Sequence, residues 1–204
     1  GTYSRSFYQI SIANEFLRET TDEKLTERGI DAALKTEIAA FRAEARFLRA
    51  FDYVQLMDLF GNVPITTEAD PVGFYNPVQK SRAEVFAFVE KELKELDSSL
   101  KASKANEYGR VDKAAAKFLL AKIYLNAKVY TGTAKNTECI TACKDVLDSG
   151  YSFANVPYFN LFSADNDVNG AQSEIIFPVV SDGNLIRATG AGMSFIMHAS
   201  IGGS

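Results

Sequence analysis

The chain has 204 residues, of which 47% are hydrophobic and 24% charged, as is ordinary for one well-packed globular domain. A net charge of -4 argues against broad nucleic-acid binding, which requires an excess of lysine and arginine. No stretch approaches the roughly 20 apolar residues of a membrane-spanning helix, and the first residues lack a signal-peptide pattern. The sequence is therefore either that of a cytosolic protein or part of a longer chain whose leader lies outside it.

Helical periodicity predicts five helices in the first 150 residues. The predicted helices cover residues 3–17, 30–60, 81–100, 114–127 and 137–149. Ser81 and Glu84 form a capping box before the third helix, and Asp112 is the expected cap of the fourth. Residues 1–150 are accordingly interpreted as a helical scaffold.

The second helix carries the longest apolar stripe, which predicts a wide buried face. Gly61 and Pro64 end this helix, because glycine accepts a left-handed cap and proline cannot continue a helix. The members of the stripe are Phe47, Leu48, Phe51, Leu56 and Leu59.

Three arginines on the second helix share one face, since Arg42, Arg46 and Arg49 are spaced at i, i+4 and i+7. Such a stripe could bind an anion. A solvated or carboxylate-paired face is the favoured interpretation, with Asp52 three residues beyond the last arginine.

A short pattern occurs twice, at 47–55 and at 118–126. Its common form is Phe-Leu-x-Ala-x-x-Tyr-aliphatic-amide, which suggests helical units that stack on each other. The fourth and fifth helices resemble a tetratricopeptide unit, with Leu120, Ala121 and Tyr124 at the crossing, although their connection is longer than is standard for that repeat.

Two segments outside the helices differ in character from the scaffold. Residues 66–80 form a loop long enough to suggest a function. After Gly150 the sequence is aromatic and irregular, 173–180 is predicted to be a short buried strand, and 181–204 is rich in glycine and serine. We therefore expect a mainly α fold with tetratricopeptide-like repeats at 1–150 and a strand-and-loop layer at 151–204, within one partial domain.

The two cysteines, Cys139 and Cys143, stand at i and i+4 on the fifth helix. Neither a disulfide framework nor a metal site is expected, since His198 is the only histidine available as a further ligand. We interpret the cysteines as two small buried side chains.

The cluster at 165–170 resembles the first half of a calcium loop, with alternate oxygen ligands before a glycine. A complete loop would place glutamate at position 12, but Ile176 stands there and Glu174 comes two residues early. A plain turn is favoured, with calcium as the alternative and no other cofactor or metal expected.

The sequence contains no motif typical of an enzyme. It has no Gly-x-Ser-x-Gly, no phosphate-binding loop and no His-x-x-x-His. We therefore predict a protein without catalytic residues.

The chain has 15 phenylalanines and 9 tyrosines, which raises the question of sugar stacking, although it has no tryptophan. Aromatic residues at helical core spacing are interpreted as structural. These are Phe47, Phe51, Tyr53, Phe118 and Tyr124. Aromatic residues expected in loops are better candidates for ligand contact, although they could instead anchor their loops. These are Phe74, Tyr75, Tyr130, Tyr151 and Tyr158.

Four blocks in order along the chain resemble the SusD/RagB family of outer-membrane nutrient-binding lipoproteins. The blocks are 12–17, 43–64, 109–127 and 161–177, with Leu-Phe-Gly-x-Val-Pro in the second and Ser-Glu-Ile-Ile-Phe at the end of the fourth. Residues 126–132 and 181–187 look most like the starch-binding prototype of that family.

The resemblance implies a non-catalytic protein that binds starch or another oligosaccharide and is lipid-anchored on the outer face of the outer membrane. It would serve as the lid of a SusC-like TonB-dependent transporter. The leader, the lipobox cysteine and much of the carboxyl-terminal half would lie outside this sequence. A tetratricopeptide-type adaptor for protein partners is the alternative, motivated by the repeat alone.

The resemblance maps no sugar contact onto this chain. Asn184 and Arg187 are named as ligand-binding candidates because their loop leads toward the expected ligand face. Arg187 could hydrogen-bond sugar hydroxyls or pair with Asp182.

Overall fold

The computed structural model describes residues 1–180, and helices dominate that part of the chain. The helices are α1 Thr2–Glu19, α2 Asp22–Glu27, α3 Ala32–Phe60, α4 Arg82–Glu95, α5 Lys113–Leu125, α6 Ala127–Thr131 and α7 Asn136–Leu147. Short 3₁₀ turns cover Leu96–Ser98, Tyr158–Phe162 and Ala171–Ser173. None of the helices described is both long and apolar enough to cross a membrane.

One antiparallel strand pair closes the loop between α3 and α4. Strand β1, Val63–Pro64, pairs with β2, Gln79–Lys80. The long loop predicted at 66–80 is therefore held at both ends, and only the residues between the strands project from the helices.

Local sequence signals place the helix ends where they were expected. Ser81 and Glu84 make both hydrogen bonds of the capping box at the start of α4. The Asp112 carboxylate accepts from the backbone N–H of Ala115 at 3.1 Å and caps α5. Gly61 ends α3 with φ of +74°, in the region that glycine adopts without a steric penalty.

The buried face of α3 packs against α1 and α4. Its fully buried residues include Phe47 and Leu56, as predicted, but Leu48 and Leu59 are 46% and 58% exposed. Their spacing leaves those two leucines on the opposite side of the helix, which those neighbours do not cover. The remaining buried apolar residues of α3 are Ala43, Ala50, Tyr53, Val54 and Met57.

The mainly α-helical prediction is confirmed, and the tetratricopeptide-like repeat remains an interpretation consistent with the packing. Helices α5 and α7 pack against each other, and Leu120, Ala121 and Tyr124 are buried as predicted. Phe118, however, is 55% exposed. Its interpretation as a core residue was wrong, because the copied pattern reproduces the spacing and not the neighbours that would cover the side chain.

Two further predictions in this region were wrong. Cys139 is only partly buried and Cys143 is exposed, because α5 covers just one side of α7. Tyr130, which was expected in a loop, lies in the short helix α6 and is buried.

The strand predicted at 173–180 does not form. Ser173 ends a 3₁₀ turn and the residues from Glu174 to Val180 are irregular and mostly half-buried. A strand needs a neighbouring strand for its backbone hydrogen bonds, and within residues 1–180 the only strand pair lies at the base of the 66–80 loop. Pro178 also lacks a backbone donor.

Helix α3 buries one carboxylate away from any arginine. Asp52 is 7% exposed, and burial raises the pKa of its carboxyl to about 6, although a hydrogen bond with Ser6 partly opposes the shift. With its amide oriented to donate, Gln9 places its nitrogen 2.9 and 3.0 Å from the two Asp52 oxygens. Ionisation of Asp52 therefore destabilises the folded state.

We expect Asp52→Asn to be more stable than the wild type at pH 7 by about 1 to 2 kcal/mol. The raised pKa means that the wild type loses stability as pH rises from about 4 to about 6, whereas the amide has no charge to bury. Urea denaturation at several pH values measures the difference, which should vanish near pH 4. A difference that is constant from pH 4 to 7 would contradict this assignment.

Candidate functional site

Arg49 is the largest fully buried side chain in the described residues, at 2% exposed. Its Nη1 donates to Asn14 Oδ1 at 2.7 Å and its Nη2 donates to Glu92 Oε2 at 2.7 Å. A third partner is the carboxylate of Glu68. One guanidinium therefore links α1, α3, α4 and the 66–80 loop.

The neighbouring arginines complete this buried network. Arg46 donates to Glu92 at 2.8 Å and to Glu95 at 2.6 Å. Burial raises the pKa of the Glu92 carboxyl, but Arg46 and Arg49 outweigh burial and hold that pKa below its usual range. The prediction of a carboxylate-paired face is confirmed for these two arginines, but their partners are Glu92, Glu68 and Glu95 and not Asp52.

Arg42 plays a different part from the other two arginines. Its Nη1 donates to the backbone oxygen of Leu17 at 2.5 Å and to Thr20 Oγ1 at 2.8 Å, so it caps the end of α1. The three arginines thus bind protein groups.

The root of the long loop, residues 66–70, is fixed by the same part of the structure. Asn14 Nδ2 donates to the Thr66 carbonyl at 3.0 Å, and the Thr66 N–H donates to the Tyr53 hydroxyl at 2.8 Å. Arg18 donates to the carbonyls of Glu68 and Asp70 at 3.1 and 3.2 Å. The loop root is therefore fastened to α1 and α3, while residues 71–78 form an exposed tip.

A cleft of about 250 Å³ lies between α1 and this loop, and we name it the loop cleft. Polar side chains from the helix and the loop root line it together with apolar atoms. Its lining residues are Ser11, Asn14, Glu15, Arg18, Thr66, Thr67, Asp70, Pro71, Val72, Gly73 and Tyr75.

The five candidate aromatic residues divide into anchors and exposed rings. Tyr130 donates to Asp58 at 2.8 Å and Tyr151 donates to Asp112 at 2.8 Å, so each ties its segment to the helices. The hydroxyl of Tyr75 is also buried. Phe74 and Tyr158, in contrast, are 98% and 76% exposed. Among the five, these two have the most exposed rings, while Tyr75 lies in the wall of the loop cleft.

The segment after Gly150 also borders a cleft, of about 300 Å³, beside Tyr108. Asn166 and Asp167 lie in its wall, with Ile175 and Pro178 opposite. Asn184 and Arg187, the ligand-binding candidates, lie outside the described residues, and their role stays a prediction.

The cluster at 165–170 forms a turn closed by its own hydrogen bonds. Asn169 donates to the Asp165 backbone oxygen at 3.0 Å through its N–H and to the Asp165 carboxylate at 3.1 Å through its side chain. Among residues 1–180, no group of three or more His, Cys, Asp or Glu is arranged to hold a metal ion. Calcium there stays an untested prediction.

Sequence reasoning did not identify the residues that position the loop root. Asn14 and Glu92 stand among buried apolar residues of α1 and α4, such as Leu17 and Val89. A polar or charged residue within an apolar stripe was the available signal, because a buried polar group needs a hydrogen-bonding partner and a buried charge needs a paired one. Their common partner, however, lies far away in sequence.

Comparison with known proteins decides the family. A family model described as "Starch-binding associating with outer membrane" matches residues 1–125, more than half of the chain. The chain belongs to the SusD-like family. The starch-binding protein SusD of Bacteroides thetaiotaomicron is 35% identical over 98% of this chain, which spans 34% of that relative. The sequence thus corresponds to about a third of the relative's length.

Solved structures of SusD-like proteins share the fold described here. A laminarin-binding SusD-like protein is 27% identical with a TM-score of 0.66, covering 86% of this chain and 36% of the other. A structure with a xylogluco-oligosaccharide is 26% identical with a TM-score of 0.66, covering 83% and 33%. A SusD-like carbohydrate-binding protein of Bacteroides fragilis is 25% identical with a TM-score of 0.60, covering 78% and 29%. The SusD-like fold thus extends past residue 125.

We expect Glu92→Gln to lower the free energy of unfolding by about 3 kcal/mol, because it removes the charge that Arg46 and Arg49 share in a buried site. This value is at the low end of the range for breaking a buried ion pair, because Glu95 still pairs with Arg46 and Glu68 still pairs with Arg49. Urea denaturation at pH 7 measures it. The matched control is Glu95→Gln, at a half-exposed partner of Arg46, for which a loss below about 1 kcal/mol is expected. Equal losses of unfolding free energy in the two variants would contradict the assignment of Glu92 as the buried partner that Arg46 and Arg49 share.

Proposed function

We propose that the protein containing this chain binds an oligosaccharide at the outer surface of the outer membrane without transforming it. The observation that carries the proposal is the 35% identity to a starch-binding protein across nearly the whole chain. The names of two structural relatives, one binding laminarin and one solved with a xylogluco-oligosaccharide, support the same ligand class.

The geometry agrees with a sugar ligand. Carbohydrate rings combine apolar faces with many hydroxyl groups, so they are bound by exposed aromatic rings beside polar side chains. Phe74 lies in sequence between Gly73 and Tyr75, which line the loop cleft together with polar residues of α1, and Tyr158 lies in the aromatic segment after Gly150. Both clefts are small, which suits the binding of individual sugar units of a longer chain.

The proposal extends to the way in which the ligand is delivered. A lipid anchor would hold the protein at the membrane, and a SusC-like TonB-dependent transporter would receive the oligosaccharide. Family membership and the description "associating with outer membrane" support this arrangement.

One observation favours the alternative of a protein-binding adaptor. Helices α5 and α7 each expose two apolar residues spaced by seven, which places them on one face of each helix. These are Phe118 and Leu125 on α5, and Ile140 and Leu147 on α7, all between 55% and 75% exposed. Exposed apolar surface of this kind is typical of contacts with protein.

Calorimetric titration of the full-length protein tests the main proposal. Malto-, laminari- and xylogluco-oligosaccharides are the ligands, and glucose is the control. We expect saturable binding of one oligosaccharide, and chromatography of the mixture should show its length unchanged. Failure of all three to bind would contradict the glycan proposal and favour the adaptor, whereas shortening of the ligand would contradict the absence of catalysis.

A further inference from the structure

The ring of Phe74 is the most exposed large apolar side chain in the described residues, at 98%. It therefore stabilises nothing in the fold that the structure describes. Gly73, directly before it, has φ of +108°, a backbone conformation that other residues rarely adopt. The loop thus presents an aromatic ring to the outside, and the residues on either side of it in sequence, Gly73 and Tyr75, line the loop cleft.

The wall of the loop cleft offers hydrogen-bond acceptors. Asp70 Oδ2 accepts from the Thr67 N–H at 2.7 Å and from the Thr67 hydroxyl at 3.1 Å, and Glu15 Oε2 accepts from Arg18. The second oxygen of each carboxylate accepts no hydrogen bond from residues 1–180. Because Arg18 is engaged with Glu15 and with the loop backbone, the wall favours neutral ligands that donate hydrogen bonds and disfavours anions.

One polar atom of this wall lacks a partner. The Tyr75 hydroxyl is one of two buried side-chain polar atoms in the described residues that make no hydrogen bond. The other, Arg49 Nε, belongs to the network that fastens the loop root. A buried hydroxyl without a hydrogen-bond partner has a free-energy cost.

We propose that the loop cleft is a sugar subsite, in which Phe74 stacks on the apolar face of one neutral sugar unit while Glu15 and Asp70 accept hydrogen bonds from its hydroxyls. The volume of about 250 Å³ limits the subsite to one end or one unit of an oligosaccharide. This inference rests on the proposed function, since it assigns a place to the same ligand class.

The rigid root explains why this loop suits recognition. Residues 66–70 are fastened by Asn14, Arg18 and Arg49, and β1 and β2 close the other end. A loop ordered before binding loses less conformational entropy when the ligand arrives. The fastened root therefore limits the ordering that binding requires to the tip at 71–78.

The test compares three variants of the full-length protein by calorimetry with the malto-, laminari- and xylogluco-oligosaccharides. Phe74→Ala removes the stacking ring, and Ser11→Leu places a larger side chain in the cleft wall. Phe153→Ala is the matched control, because it removes another exposed ring, 90% exposed, that lies far from the cleft wall in sequence. None of these side chains is buried, so thermal melts should show the variants folded.

We expect Phe74→Ala and Ser11→Leu each to weaken binding about tenfold, and Phe153→Ala to leave binding unchanged. Wild-type binding that neither cleft variant weakens would overturn the subsite and leave the proposed function intact. Absence of wild-type binding to all three oligosaccharides would overturn both. Equal weakening by all three variants would also overturn the assignment, since the effect would not be specific to the cleft.

Discussion

A buried guanidinium holds four parts of this chain together. Arg49 donates to Asn14 on α1, to Glu92 on α4 and to Glu68 in the long loop, and it is itself 2% exposed. A charge in that position is tolerated only because carboxylates and an amide surround it. The helices could pack through their apolar faces alone, but the loop root is held in place mainly by polar contacts to this region.

This constraint links the core to the surface that we assign to ligand binding. The root at 66–70 is fastened to α1, so the exposed tip at 71–78 is not needed to hold the helices together. Other aromatic residues, such as Tyr130 and Tyr151, serve the opposite purpose and fasten segments to carboxylates on the helices. The same residue type thus stabilises the fold or faces a ligand, depending on whether a polar partner lies within reach of the ring.

Local signals in the sequence placed the ends of the longer helices, whereas the short helices α2 and α6 and the contacts between distant residues were not predicted. The capping box at Ser81, the cap at Asp112 and the stop at Gly61 each depend on a few neighbouring residues. The strand predicted at 173–180 failed because its apolar run found no partner strand, and instead Phe177 packs edge-on against Phe47 at 5.5 Å. An apolar run shows that a segment is buried against something, and the neighbour decides its conformation.

The five longer helices, the caps at Ser81 and Asp112, the long loop and the resemblance to the SusD-like family follow from the sequence alone, since periodicity, turn chemistry and motif order are properties of the chain read in order. Only the tertiary structure decided which side chains meet: that Arg49 pairs with Glu92 and not with Asp52, and that Phe74 is exposed while Tyr75 is partly buried. The physical reason is that burial and pairing depend on residues as far apart as Asn14 and Glu92, whose approach no local pattern specifies.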